Sequence, residues 1–233
     1  EISIFFPDAI TARLDLDSTR SKNAYHKIIS DFENRKIDIL VGTQMVTKGL
    51  DFENVSTVGI INADQMLNFP DFRAHERAYQ LMSQVSGRSG RKLKRGLVLV
   101  QTHQPDHWVI QLVVDHNYEA FYERDLFERK KFSYPPHTRL IEILMKHKDN
   151  DFLHEKSFEF GDALRKILGN RIIGPHQPLI ARIKNLWIKR ILVKIEKGAS
   201  ATKVKEAIRK QLAVFNKDKK NHSIQIVIDV DPV

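Results

Sequence analysis

Ile37-Asp38-Ile39-Leu40-Val41-Gly42-Thr43 decides how the first half of this 233-residue chain folds. Aliphatic side chains at four of its first five positions, with no polar alternation after Asp38, read as a strand buried on both faces, and Gly42 ends the run. Upstream, residues 19–34 set Tyr25, Ile28, Ile29 and Phe32 on one stripe of a helix, with Ser18 or Thr19 placed to cap its first turn. Downstream, residues 55–63 and 96–102 repeat the aliphatic strand pattern, and residues 72–85 have helical spacing. Strands of this kind alternating with helices specify a parallel α/β sheet, which takes its ligands at the carboxyl ends of its strands.

Two glycine-bearing segments fall at those ends. Gly42-Thr43-Gln44-Met45-Val46-Thr47-Lys48-Gly49-Leu50-Asp51-Phe52 follows the first strand, and Gln84-Val85-Ser86-Gly87-Arg88-Ser89-Gly90-Arg91 follows the second helix. Arg88 and Arg91 form a pair of guanidinium forks, always charged and able to grip two phosphate oxygens each, while Gly87 and Gly90 let the backbone approach. In phosphoryl transfer such cations offset the charge that builds in the transition state. Between the two segments lies Asp64-Gln65-Met66-Leu67-Asn68-Phe69-Pro70-Asp71-Phe72-Arg73-Ala74-His75-Glu76-Arg77. Its rings can stack on unpaired bases while Arg73 and Arg77, one helical turn apart, follow the phosphates. A core position for Phe72, and a shared contact of the arginines with a neighbour such as Glu76, are the other readings of the same residues.

The order and spacing of the glycine segments resemble motifs V and VI of superfamily-two helicases. The 64–77 block is similar to the replication-restart branch of that family, and the likeness runs from about Phe6 to Asp229-Val230-Asp231-Pro232. The resemblance implies a partial second RecA-like helicase lobe over residues 1–105, a connecting helix over 106–134 and a basic DNA-binding domain over 135–233. It also implies an ATP-dependent DNA helicase that moves 3′ to 5′, recognises stalled forks and restarts replication by primosome assembly. Carried onto this sequence, Arg88 and Arg91 would be the catalytic arginines, with spacing leaving open which is the finger. Gln84, Gly49 and Asp51 would face the nucleotide, and Thr43 with Gln44 would hold a phosphate of the tracked strand. ATP and Mg²⁺ are implied, but their phosphate loop and acidic strand motif do not occur in these residues, so a first lobe would have to complete the site and these residues alone are expected to be inactive. An opening on Glu1, inside what the resemblance makes a second lobe, leads us to expect a piece of a longer protein. Family zinc belongs to cysteines of an earlier insertion, and none is expected here. The implied partners are branched and single-stranded DNA, single-stranded-DNA-binding protein and primosome loading proteins, in the cytoplasm at the nucleoid. Another superfamily-two translocase, or a non-catalytic nucleic-acid-binding scaffold, are the competing readings.

The second half differs in both pattern and charge. Residues 135–233 follow the order strand (140–146), helix (152–168), two strands (near 172–183 and 187–196), helix (201–215) and strand (223–230), the β-α-β-β-α-β succession of a ferredoxin-like α+β domain. Residues 1–134 carry 18 Lys+Arg against 18 Asp+Glu, whereas residues 135–233 carry 20 against 11, so the whole formal charge of +9 sits in the second part. That asymmetry suits an anionic polymer as partner. Lys203, Lys205, Arg209 and Lys210 crowd one helix, while Arg182, Lys184, Lys189 and Arg190 flank a turn beside Trp187, so Trp187, Lys189 and Arg190 are expected to touch DNA. Packing of Trp187 against protein is its alternative. With no cysteine, disulfides and thiolate metal sites are excluded for these residues. The pair His103 and His107 is separated by Pro105, which argues against one helix face and so against a metal.

Overall fold

The computed structural model describes residues 2–15, 22–43, 55–86 and 96–232. The chain divides into two units, Glu1–Tyr122 and Glu123–Val233. In the first unit, α1 (Ile2–Phe5) precedes β1 (Thr11–Leu14), and α2 (Lys22–Glu33) carries the chain across to β2 (Ile39–Gly42). β1 and β2 are parallel, with Thr11 opposite Ile39 and Leu14 opposite Gly42. The sequence lets the strand start at Ile37, but Asp38 is spent at its mouth: its backbone N–H donates to the Ile10 carbonyl at 2.8 Å, and its Oδ2 accepts from the Ile10 N–H at 2.8 Å. The polar residue therefore sets the register of the parallel pair, and the strand proper begins one residue later.

A second parallel pair joins β3 (Thr57–Ile60) to β4 (Leu97–Val100), with Ile60 opposite Val100. The expected strand over 55–63 stops at Ile60 because Asn62 takes a left-handed conformation (φ 57°), which turns the chain into α3 (Ala63–Leu67). α4 (Ala74–Ser86) starts two residues later than its spacing suggests. Asp71 ends the preceding turn, its carbonyl accepting from Ala74 N–H at 3.0 Å and its Oδ1 from Arg73 N–H at 2.8 Å. α4 buries Ala74, Ala78, Tyr79, Met82 and Val85, a single stripe of helical period, against α5 (Trp108–Val114) and the start of α6 (Tyr118–Lys131). Tyr79 stacks on Phe121 at 4.2 Å between ring centroids, and Phe121 on Trp108 at 5.5 Å. Side chains of this size stabilise the unit by about 1.5–3 kcal/mol each when fully buried.

The single helix expected over 106–131 is two helices. His116 is left-handed (φ 52°), and Asn117 Oδ1 accepts from Ala120 N–H at 3.0 Å, so Asp115-His116-Asn117 stops α5 and recaps α6. The boundary between the two units lies inside α6.

The second unit is an antiparallel sheet with β5 (Thr138–His147), β6 (Ile172–His176), β7 (Arg182–Ile183), β8 (Leu186–Glu196) and β9 (Gln225–Val230). The spatial order is β6-β8-β5-β9, with β7 paired to β8, and every neighbouring pair is antiparallel. α7 (Asn150–Leu168) links β5 to β6, and α8 (Ala201–Phe215) links β8 to β9. Both helices pack on the sheet face built from Ile141, Ile143, Met145, Ile191, Val193 and Ile195. Asp149 caps α7, accepting from Asp151 and Phe152 N–H groups, and Ser200 caps α8, accepting from Lys203 N–H. α7 comes close to the sheet through Gly161, where a Cβ would lie 2.8 Å from Pro175 Cδ.

Candidate nucleic-acid interface

Thr43 stands exposed just past Gly42, at the carboxyl end of β2, so its hydroxyl is at the sheet edge where parallel α/β sheets take ligands. Gln84 is exposed near the carboxyl end of α4. Gln44, Gly49, Asp51, Arg88 and Arg91 lie outside the described residues.

The block before α4 is placed in full. Phe69 is 46% exposed, and Arg73 lays its guanidinium over the ring of half-buried Phe72 at 4.8 Å. Arg77 Nη1 lies 3.2 Å from Asp71 Oδ2. Asp71 therefore accepts from the backbone of Arg73 and pairs with the side chain of Arg77. The result is an exposed ring and two cations on one corner, with Asp71 holding the Arg77 guanidinium.

Asp64, quoted in the sequence without a role, locks this corner to the sheet. Its Oδ1 accepts from Thr102 Oγ1 at 2.7 Å and its Oδ2 from His103 N–H at 2.9 Å, while Gln101 Oε1 accepts from Asn62 N–H at 3.2 Å. The His103 N–H and then the Thr102 hydroxyl hold its carboxyl below the usual aspartate range. The ends of β3 and β4 are thus clamped where α3 departs. An aspartate shortly after a buried strand is the signal that could have pointed to it.

In the second unit, Lys184 and Asn185 both take positive φ (47° and 64°), making a two-residue hairpin turn between β7 and β8. Arg182 covers the Trp187 ring at 5.1 Å, and Trp187 packs partly on the core beneath α7 and α8. The sequence grouped Trp187, Lys189 and Arg190 at one tip, but strand alternation separates them. Lys189 lies on the helix-covered face and is 8% exposed, whereas Arg190 lies on the opposite face, where it pairs with Glu142. His176, opposite Arg190, is held below the ordinary histidine range by burial and then by the Arg190 charge. The cations left exposed at the hairpin are Arg182 and Lys184.

α8 is different. Lys203, Lys205, Arg209 and Lys210 are all exposed, and Lys217, Lys219 and Lys220 extend them past its end. Among the described residues, no group of three or more His, Cys, Asp or Glu side chains is placed to hold a metal ion, and no helix is long and apolar enough to cross a membrane. His107 uses Nδ1 to accept from Val109 N–H and cap α5.

A parallel-sheet α/β unit followed along the chain by a basic antiparallel unit fits the class of helicase C-terminal regions. Residues 11–92 match the model of the helicase conserved C-terminal domain, and residues 130–233 match that of the primosomal protein N C-terminal domain. The chain is 37% identical to the replication restart protein PriA of Bacillus subtilis (strain 168) over 234 residues, covering 100% of this chain and 29% of that protein. It is 38% identical to PriA of Synechocystis sp. (98% of this chain, 27% of the relative) and 37% identical to PriA of Borreliella burgdorferi (88% and 32%). The chain belongs to the PriA family of replication restart proteins, and it spans less than a third of the length of these relatives.

Proposed function

We propose that these residues supply the second RecA-like lobe and the DNA-binding C-terminal domain of an ATP-dependent 3′–5′ DNA helicase that recognises stalled forks and restarts replication through primosome assembly. The observation that supports the reading is the succession along the first unit, Thr43 at the end of β2, Arg73 and Arg77 at the start of α4 and Gln84 near its end, followed in the sequence by Arg88 and Arg91, all within the residues that match the helicase C-terminal domain model. The lobe spans residues 1–105, the connection 106–134 and the basic domain 135–233. The latter is of ferredoxin-like type, supported by two β-α-β units interleaved in one antiparallel sheet with both helices on one face.

Arg88 and Arg91 reach across to the β- and γ-phosphates of ATP, and Gln84, Gly49 and Asp51 face the same nucleotide. Mg²⁺ and the phosphate loop belong to the other lobe. Zinc, where the family holds it, lies outside these residues. Thr43 and Gln44 grip one strand of DNA, and Arg73, Arg77 and Phe69 contact the unpaired region beside it, with Asp64 fixing their corner to the sheet. Closure of the cleft on ATP and its release after hydrolysis shift that grip. Single-stranded-DNA-binding protein and primosome loading factors are the protein partners, in the cytoplasm at the nucleoid.

The test is a chimera in which residues 1–233 replace the matching part of the Bacillus subtilis relative. It should unwind a fork with a 3′ single-stranded tail and leave a 5′-tailed one intact. Unwinding of the opposite polarity would point to another superfamily-two motor, and binding without unwinding to a scaffold.

A further inference from the structure

The second unit carries two helices side by side with opposite surfaces. α7 exposes Asp151, Glu155, Glu159 and Asp162, and two of its three Lys and Arg side chains pair locally: Lys156 Nζ lies 2.7 Å from Glu159 and 3.4 Å from Glu155, and Arg165 pairs with Asp162, while Lys166 stands exposed without an ion pair among the described residues. α8 exposes Lys203, Lys205, Arg209 and Lys210 with Glu206 as its single acid. Although Glu206 stands three or four residues from Lys203, Arg209 and Lys210, none of the four α8 cations, nor Lys217, Lys219 or Lys220, forms an ion pair among the described residues. Elsewhere in the same unit Arg129, Lys156, Arg165, Arg171 and Arg190 have carboxylate partners, and isolated cations such as Lys148, Lys166 and Lys197 have none among the described residues, so α8 differs in gathering four unpaired cations on one helix.

The placement along α8 is also unfavourable for the helix itself. Its first turn has no acidic residue, and Lys203 stands there among the backbone N–H groups that Ser200 caps, where the helix dipole disfavours a cation. Lys203 and Lys210 are seven residues apart, so they share one side of the helix about 10.5 Å from each other, and Lys217 stands exposed in the turn just past the helix end. No aromatic ring lies among them, because Phe215, the one aromatic residue of α8, is buried in the core. A single strand is gripped by stacking its bases on rings, whereas a duplex offers only its phosphates to a row of lysines.

We propose that Lys203 and Lys210 of α8, with Lys217 in the turn just past its end, form a sequence-independent track for the phosphate backbone of double-stranded DNA, separate from the single-strand contacts of the first unit and from the β7–β8 hairpin. The proposal rests on the DNA-binding reading above and assigns it a surface and a strand state. The acidic face of α7 bounds the track on one side, so the duplex is confined to α8 and the turn that follows it.

Fluorescence anisotropy of the 233-residue chain with a blunt duplex and with a single strand of equal length tests this. The variant Lys203→Glu/Lys210→Glu/Lys217→Glu is compared with Lys27→Glu/Lys148→Glu/Lys166→Glu, which makes the same charge change at exposed positions elsewhere. Circular dichroism checks that both fold. The α8 variant should bind the duplex at least about tenfold more weakly, with the slope of log affinity against log salt reduced by about 0.9 for each phosphate no longer neutralised, while single-strand affinity stays within about twofold. Equal losses in the two variants, or a larger loss for the single strand, would overturn the track and leave the helicase reading standing. Failure of the unmodified chain to bind either DNA would overturn both.

Discussion

Substituting Gly161 with alanine should destabilise the second unit, although alanine is the better helix former. The gain in helix propensity is about 0.8–1.0 kcal/mol. Against it, the new Cβ would lie 2.8 Å from Pro175 Cδ, 3.6 Å from Pro175 Cγ and 3.7 Å from Ile191 Cδ1. Ordinary contact begins near 3.4 Å, so the shortfall at Pro175 is about 0.6 Å. A proline ring cannot swing aside as a flexible side chain does, and α7 or β6 must move instead. Overpacking of this kind costs about 1–3 kcal/mol, which leaves a net loss near 1 kcal/mol. Urea denaturation in a Trp108→Phe background, where Trp187 is the sole tryptophan, reads the second unit alone. Gly198→Ala, where nothing lies within 4 Å of the added Cβ, is the control and should shift stability by less than about 0.5 kcal/mol. A neutral or stabilising Gly161→Ala would refute the close seating of α7 on Pro175.

Acid should weaken the second unit through His176. Its folded pKa lies below the ordinary value near 6.5, mainly from burial and then from Arg190, so the unfolded chain binds more protons in the window just below that value. The stabilisation is present above about pH 6.5 and lost as pH falls through the folded pKa. His176→Asn should flatten the acid limb of a stability-versus-pH curve measured by denaturation, and an unchanged limb would contradict the assignment. Asp64→Asn keeps an acceptor for Thr102 but presents an NH₂ group to the His103 N–H, so the clamp opens on one side. Faster hydrogen exchange at the His103 amide is expected, together with weaker single-strand binding if the clamp holds the Arg73–Arg77 corner in place. Exchange rates equal to those of the unmodified chain would remove Asp64 from that role.

Much of the architecture could be read from residue periodicity. α8 runs over the residues that its stripe of Val204, Ile208 and Phe215 indicates, and the aliphatic runs at 37–41 and 96–102 form parallel strands. Boundaries moved where one polar side chain outbid the pattern: Asp38 trimmed β2, Asn62 ended β3 and Asn117 split the expected helix over 106–131. β1 escaped notice because Thr11-Ala12-Arg13-Leu14 has no aliphatic run and alternates over only four residues, and its strand is fixed by pairing with β2. The expected cluster at Trp187, Lys189 and Arg190 ignored alternation across the sheet, which sends adjacent residues to opposite faces. Strand register, once known, decides that question, and sequence proximity does not. For α8, composition revealed the lysines, and the structure adds that all four of its cations are exposed and unpaired among the described residues, with Lys203 and Lys210 on one side of the helix.

Completion of an ATP site by the arginines of the Gln84-to-Arg91 segment is the central claim. The direct measurement is DNA-stimulated ATP hydrolysis by the Bacillus subtilis chimera carrying residues 1–233, with and without Arg91→Ala or Arg88→Ala. At least one of the two substitutions should lower the maximal rate by about 10³-fold or more, the scale of an arginine finger, while DNA affinity is retained. Hydrolysis at the unmodified rate in both variants would contradict that claim.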